Sequence, residues 1–429
     1  MKIWKTAKHL PWLCVAALHS TAWAQAPSPS PNTDLSLEQA QALALAHNPE
    51  LAAAQAQTDA AQALARQQSL WPNPSLSYSQ EDAGKPDRSH SVELSWPLEL
   101  GGKRSARQAL AQSEALLTDG ERQALAAKVR AQTTAAYFAL VLAQEGQRLA
   151  NDSAALAVQA AQAAGKRVAA GKISPVEHSR ALAAQALAQA QALQAAAAQR
   201  QASADLALWL GQEALPEHTQ LSAAKAETLP RLPAWPPLQA ALEAGPAAKN
   251  AQLQLARSQA AGDLARSARW PDVTLSLGVK RGRDAQTPRQ QILLGASFPL
   301  PLFDRQQGAV QAAQLQEQAA RERQRASALA STQALRSAYE NYQSAVGELQ
   351  LLQTQALPAA QSADRAARIG FEYGKFSFLE LLDAQRSWLA AQNQALQTQA
   401  NAYRALAEIE SLLGQPLSEL AQAAALGEK

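Results

Sequence analysis

Three carboxylates sit just past two glycine–lysine pairs. Glu177 comes six residues after Gly171, and Glu380 and Asp383 come six and nine residues after Gly374. Residues 380 and 383 are three apart, which puts them on one face of a helix. Acids near a helix start are favoured by the macrodipole, so solvated helix-start residues are one reading of all three. Other chemistry-bearing side chains are sparse. His47, His90, His178 and His218 are far apart, with no partner at ligand spacing. The single cysteine, Cys14, lies near the start of the chain. There is no nucleophile motif, glycine-rich phosphate loop or ligand cluster. The sequence offers no resident metal, no cofactor and no catalytic residue, so a secreted enzyme fits poorly.

The chain that must position these acids has 429 residues, roughly two to four domain equivalents. Its apolar fraction of 47% owes much to alanine, and its polar part much to glutamine. Both are good helix formers, so most of the chain should be helix. Residues 1–24 resemble a secretory signal: Lys2, Lys5 and Lys8 form a basic start, Leu10 to Leu18 an apolar core, and Ala22-Trp23-Ala24 a cleavage site. Cys14 lies inside that core with bulky Trp12 before it, which argues against a lipid-modified cysteine. The three lysines account for the formal charge of +3. The remainder is close to neutral, so binding of nucleic acid through global charge is excluded. No later run of 18 apolar residues exists, so any membrane segment must be built from β-strands.

The sequence is written twice. Trp71-Pro72 recurs as Trp270-Pro271, Ser95-Trp96-Pro97-Leu98 as Ser297-Phe298-Pro299-Leu300, Gly171-Lys172 as Gly374-Lys375, and Trp209-Leu210-Gly211-Gln212 as Leu412-Leu413-Gly414-Gln415. The offsets are 199, 202, 203 and 203 residues, too long for a solenoid and suited to a duplicated domain. Two repeats are expected, 35–215 and 237–417, joined by a Pro-rich segment 216–236. A linker at 25–34 precedes them and a tail at 418–429 follows.

Each repeat reads alike. A short helix (Leu35 to Ala46, with Ser36 a possible cap, or Pro237 to Ala244) precedes a helix of about 22 residues, Pro49 to Leu70 or Pro246 to Trp270. Two strands follow, about 74–82 and 90–98, or 272–281 and 290–299. A helical stretch of roughly 65 residues comes next, Lys103 to Val168 or Gln306 to Gly370, with a kink expected at Pro358. A turn at Gly171 or Gly374 leads to a last helix, Ser174 to Leu210 or Ser377 to Leu413. The long helix would span about 98 Å and the two shorter ones together about 89 Å. The shorter pair stacked end to end therefore matches the long one.

The strands alternate apolar with small polar residues: Leu76 and Tyr78 among serines, Val92, Leu94, Trp96 and Leu98 against Glu93 and Ser95, and Val273, Leu275, Leu277 and Val279 against Thr274, Ser276 and Gly278. This pattern fits a membrane barrel around a wet lumen or a half-buried soluble hairpin. Strand length, the terminal aromatics Trp96 and Phe298, and the polar loops Gln80–Ser89 and Arg281–Gln290 favour the barrel. The basic residues assigned to the second loop, Lys280, Arg281, Arg283 and Arg289, either meet lipid phosphates or are simply solvated. Four strands do not close a barrel, so several protomers must share one.

The sequence resembles the TolC family of outer-membrane efflux channels over nearly the whole mature chain. The resemblance rests on His47-Asn48-Pro49-Glu50-Leu51, on the duplicated helix–hairpin–helix plan, and on Gly374-Lys375 followed by Leu379-Glu380-Leu381-Leu382-Asp383-Ala384-Gln385. The stretch Pro97-Leu98-Glu99-Leu100-Gly101-Gly102-Lys103-Arg104 is similar to the heavy-metal exporter branch. The resemblance implies a mostly α chain with a small β part, assembled as a trimer. Twelve helical columns would form a periplasmic tunnel and twelve strands one shared barrel in the outer membrane, with the Pro-rich segment in a belt at the waist. A periplasmic adaptor and a proton-driven inner-membrane pump would be the partners.

By the same resemblance, Glu177, Glu380 and Asp383 would form the constriction at the periplasmic tip. Arg368 would pair with a tip carboxylate, or is a plain surface arginine. Gly171, Lys172, Gly374 and Lys375 would receive the adaptor. Trp96 and Phe298 would face lipid. The expected function is a passive export conduit, for heavy-metal cations or alternatively for drugs and other organic molecules. The competing reading is a soluble periplasmic coiled-coil adaptor or scaffold, which leaves the two hairpins unexplained.

Overall fold

The computed structural model describes residues 35–81, 88–216, 219, 221, 229–284 and 287–417. The expected signal (1–24), linker (25–34) and tail (418–429), and His218, lie outside the described residues. The first repeat comprises α1 (Leu37–His47), α2 (Pro49–Gln68), β1 (Ser75–Glu81), β2 (Ser89–Leu98), α3 (Lys103–Ala169) and α4 (Pro175–Trp209). The second comprises α5 (Trp235–Glu243), α6 (Pro246–Ser267), β3 (Val273–Asp284), β4 (Thr287–Ser297), α7 (Gln307–Leu351), α8 (Leu357–Glu372) and α9 (Phe378–Leu413). Among the described residues no helix is long and apolar enough to cross a membrane.

Local signals set most boundaries. Ser36 opens α1 with a capping box: its Oγ accepts from Gln39 N at 3.2 Å, and Gln39 Oε1 accepts from Ser36 N at 3.0 Å. Prolines occupy the first turn of α2, α4, α5 and α6, where the missing N–H costs nothing. Ends shift by up to three residues from the sequence expectation: α5 begins at Trp235 rather than Pro237, and α6 stops at Ser267 rather than Trp270.

The second long helix departs from expectation. It is two helices, α7 and α8, joined by a π-helical turn over Leu352–Ala356. Pro358 has no N–H to give Thr354, and its ring would strike that carbonyl in a regular helix. The wider turn absorbs the conflict: Leu357 N bonds back five residues to Leu352 O. The matching position in α3 is Ala155, and α3 runs unbroken for 67 residues, about 100 Å.

The short helices do stack end to end. Asn48 caps α2 by accepting from Glu50 N and Leu51 N, while its Nδ2 donates to Trp209 O at the end of α4, at 3.2 Å. Gly211, at φ +70°, lies so close that a Cβ would stand 2.3 Å from His47 O. The second repeat builds the same joint: a Cβ on Gly414 would meet Pro246 Cγ at 2.6 Å. Each joint leans on a core at mid-height, centred on Tyr137, Leu140, Leu206, Leu238, Leu335, Tyr342, Tyr403 and Ile409. Two tyrosines tie the chain entering each repeat to this core. Tyr137 Oη donates to Leu35 O at 2.8 Å, and Tyr342 Oη to Pro230 O at 2.5 Å. Burial raises the Tyr342 phenol above its ordinary pKa, so it stays a neutral donor.

The two hairpins form one antiparallel sheet in the order β1-β2-β3-β4. The repeats meet along β2 and β3, with Leu98 opposite Val273, Leu94 opposite Leu277 and His90 opposite Arg281. The strands of the second hairpin run into the expected loop: β3 extends to Asp284 and β4 starts at Thr287. Arg281, Arg283 and Arg289 are therefore strand residues, not loop residues. Polar alternation had hidden them, because the strand continues beyond its apolar rows.

Candidate functional site

The sheet exposes its apolar face. Leu76, Ile292 and Leu294 are 72–80% exposed, and Tyr78, Val92, Leu94, Trp96, Leu275 and Leu277 are exposed beside them. The register places these side chains on one face and Ser77, Ser79, Ser91, Glu93, Ser95, Ser276, Gly278 and Gly295 on the other. A soluble hairpin buries its apolar face; this sheet does the opposite. Its edge strands β1 and β4 each pair on one side only. Trp96 lies on the apolar face opposite Leu275, and Phe298 follows β4 at the helix end of the sheet. Trp71 and Trp270 are exposed at the same junction.

The junction itself is built by the stretch from Pro97 to Arg104. Gly101 takes φ +65° and lies against Trp270, where a Cβ would approach within 2.4 Å. Lys103 Nζ donates to Asp272 Oδ1 at 2.8 Å, which crosses from one repeat to the other. Arg104 donates to Ser69 O at 2.7 Å and stacks over Trp71 at 4.6 Å. Arg107 pairs with Glu99 and donates to Gln68 O and Leu70 O, both at 3.1 Å. These arginines satisfy the last carbonyls of α2 and fix the angle between sheet and helices.

At the opposite end, both glycine–lysine turns terminate helices. Gly171 and Gly374 adopt φ +67° and +72°. Lys172 N bonds Arg167 O at 2.9 Å, and Lys375 N bonds Gly370 O at 2.8 Å, the six-to-one closure of a Schellman end. A Cβ on either glycine would meet nothing within 4 Å. The two turns are held together by Arg167, whose Nη2 donates to Phe371 O at 3.0 Å and whose guanidinium lies 4.1 Å from the Phe371 ring centroid. Beneath them sits a second core of Ala161, Ala164, Ala181, Phe371, Phe378, Leu381 and Leu382.

The three acids lie just above these turns. Glu177 is half-buried on the first turn of α4; Glu380 and Asp383 are exposed on α9. Within the protomer α4 packs on α3, whereas α9 packs on α3, α7 and α8. The fold thus brings Glu380 and Asp383 together and leaves Glu177 on a separate column. Glu380 also serves its own helix: its Oε2 accepts from Ser377 N at 2.7 Å in a capping box. Asp383 makes no side-chain hydrogen bond or ion pair among the described residues. Arg368 Nε donates to Asp364 Oδ2 at 2.8 Å, one turn back on α8. Asp364 is 7% exposed and its Oδ1 has no protein partner. Arg368 also lines a cleft of about 220 Å³ with Arg148, Gln385, Trp388 and Gln392. Among the described residues no group of three His, Cys, Asp or Glu is placed to hold a metal ion.

The sequence matches the family described as outer membrane efflux protein over residues 41–212 and 238–415, one match per repeat. The chain belongs to this family. It is an outer-membrane efflux component, not a free periplasmic scaffold. The cobalt-zinc-cadmium resistance protein CzcC of Cupriavidus metallidurans is 37% identical over 368 residues, covering 86% of this chain and 87% of that protein. The nickel-cobalt-cadmium resistance protein NccC of Alcaligenes xylosoxydans xylosoxydans is 27% identical over 272 residues, covering 62% of this chain and 60% of that protein. The solved structure of CusC superposes with a TM-score of 0.76 at 19% identity, covering 92% of this chain and 96% of that one. The fold is therefore that of the TolC-like channels.

Sequence reasoning missed Tyr137, Tyr342 and Arg167. The tyrosines carried only a loose signal: they stand 205 residues apart, two to three more than the repeat offset around them. Arg167 carried none.

Proposed function

We propose that three copies of this chain share one twelve-stranded barrel and one helical tunnel, forming the exit duct of a tripartite exporter of heavy-metal cations. The observation that carries this reading is the four-stranded sheet with an exposed apolar face and two half-paired edges. An unpaired strand edge in hydrocarbon costs several kcal/mol per orphaned group, and closure with other copies removes it. Three copies supply twelve strands, enough to enclose a wet lumen lined by the serine, threonine and glycine face.

The cargo reading rests on relatives named for resistance to cobalt, zinc, cadmium and nickel. Drugs or other organic molecules are the alternative cargo. In the assembled tip, three-fold symmetry would gather Glu177, Glu380 and Asp383 into rings that favour cations. Arg368 and Asp364 would stiffen the inner wall above them. The open space around Gly171, Lys172, Gly374 and Lys375 would receive a periplasmic adaptor, which couples the duct to a proton-driven inner-membrane pump. Deleting the gene should sensitise cells to zinc, cadmium or cobalt. Unchanged metal tolerance with new drug sensitivity would overturn the cargo reading.

A further inference from the structure

Beyond its apolar rows, the exposed face of the sheet ends in a row of hydrogen-bond donors. The row Tyr78, Val92, Val279 and Ile292 is followed, away from the helices, by Gln80, His90, Arg281 and Gln290, directly opposite one another on the four strands. Arg283 stands on the same face two residues further on β3, about 7 Å from Arg281. Both arginines are exposed, and neither makes an ion pair among the described residues. Among the described residues, Glu81 and Glu93 are on the other face: Glu81 pairs there with Lys280 at 2.5 Å, and Glu93 lies beside Gly278. Tyr78 holds the imidazole of His90 through Oη and Nδ1, 2.7 Å apart, with the rings stacked at 6.0 Å. That contact leaves His90 Nε2 for a partner outside the sheet.

Two guanidinium groups at the end of a lipid-facing apolar band meet headgroups, not hydrocarbon. Guanidinium groups recognise phosphate oxygens in a bidentate manner. The strand ends at Glu81, Ser89, Asp284 and Thr287 are the ends away from the helices, so this row lies at the outer leaflet, whose principal lipid carries phosphates on a glucosamine backbone. We propose that Arg281, Arg283 and His90 form a binding site for the phosphates of lipid A, repeated around the barrel. The proposal rests on the barrel reading above. It also divides the four basic residues by face: Arg281 and Arg283 toward lipid, Lys280 and Arg289 toward the lumen.

The test uses the purified full chain in phosphatidylcholine nanodiscs doped with bis-phosphorylated lipid A, with dephosphorylated lipid A, or with phosphatidylglycerol at equal charge. Native mass spectrometry counts the lipid retained. The wild-type protein should retain bis-phosphorylated lipid A in preference to both alternatives. The double variant R281Q/R283Q should weaken retention about tenfold or more, R281K/R283K should recover part of it, and K280Q, on the other face, should leave it unchanged. Equal retention of the dephosphorylated lipid or of phosphatidylglycerol, or unchanged retention by R281Q/R283Q, would overturn the proposal. Failure of the wild-type chain to enter any nanodisc would overturn the barrel reading with it, and is seen before any lipid is counted.

Discussion

The side-chain amide of Asn48 donates to the carbonyl oxygen of Trp209, 161 residues further along the chain, at 3.2 Å. The same side chain caps α2. One residue therefore closes two helix ends and turns α4 and α2 into a single column beside α3. Replacing Asn48 by Ala should destabilise the folded protein by about 1–3 kcal/mol, the loss of a cap plus an unsatisfied carbonyl. Asn48→Asp should keep the cap and lose the bridge, falling between the two in thermal unfolding. An unchanged melting temperature for Asn48→Ala would show that the joint is held by packing alone.

Glycines with the same backbone conformation should respond differently to alanine. Gly171→Ala meets only the left-handed strain, about 1–2 kcal/mol, because the space around it is open. Gly211→Ala meets the same strain and also His47 O at 2.3 Å, so it should cost clearly more. Parallel melts of the two variants measure the difference. Equal losses would place the His47 contact outside the energetics.

Glu410 supplies a pH signature. Burial holds its carboxyl above the ordinary carboxylate value, against the opposing pull of the Leu417 N–H and the Arg130 charge. A carboxyl that binds its proton more tightly when folded favours folding below its unfolded pKa. That contribution is lost as pH rises through the raised folded value. The melting temperature should therefore gain from Glu410→Gln at neutral pH and lose part of its dependence on pH in the acid range, since Gln still accepts from Leu417 N. A Glu410→Gln profile parallel to wild type would remove Glu410 from the account.

The exposed apolar face has a direct test. Leu275→Arg places a charge on that face and should oppose insertion by about 2–4 kcal/mol if the residue lies near the bilayer midplane. Ser276→Arg, on the other face, should be tolerated. Comparing outer-membrane yield of the two variants separates the faces; equal yields would mean that the alternation does not sort lipid from water.

The tip acids are tested by conductance. Replacing Glu380 and Asp383 by Ala should weaken cation selectivity and block by multivalent cations in planar bilayers. Ser377 keeps its hydroxyl cap on Glu380 N, so the fold should survive. Unchanged selectivity and block in the double variant would return both acids to ordinary solvated helix residues.

The repeat, the helices and the strands were legible because local rules write them. Period two, period 3.6, proline starts and glycine ends all act within a few residues. The role of His47-Asn48-Pro49 was legible only as a resemblance, because its partner Trp209 is distant in sequence. The outer parts of β3 and β4 were hidden by arginines where apolar residues mark a strand elsewhere. Pro358 was legible as a disturbance, but the form it takes, a π turn, depends on how the packed helices resist a bend. Glu380 and Asp383 were placed on one face by spacing alone. What Glu177 shares with them depends on symmetry between chains, which no single sequence spells out.

The central claim is closure of one barrel by three chains, and disulfide cross-linking of the half-paired edges tests it most directly. Cys14 is the only cysteine of the sequence, so a Cys14→Ala background makes the engineered pairs unambiguous. Ser77→Cys on β1 and Leu293→Cys on β4 face the same side of the sheet. They stand about 14 Å apart across three strand spacings, too far to bridge within one chain. This pair, or a register-shifted neighbour using residue 75 or 79 and residue 291 or 295, should oxidise in isolated outer membranes to a covalent band of three chains and no larger. Bands that stop at two chains, that climb without limit, or that never leave the monomer would contradict the account.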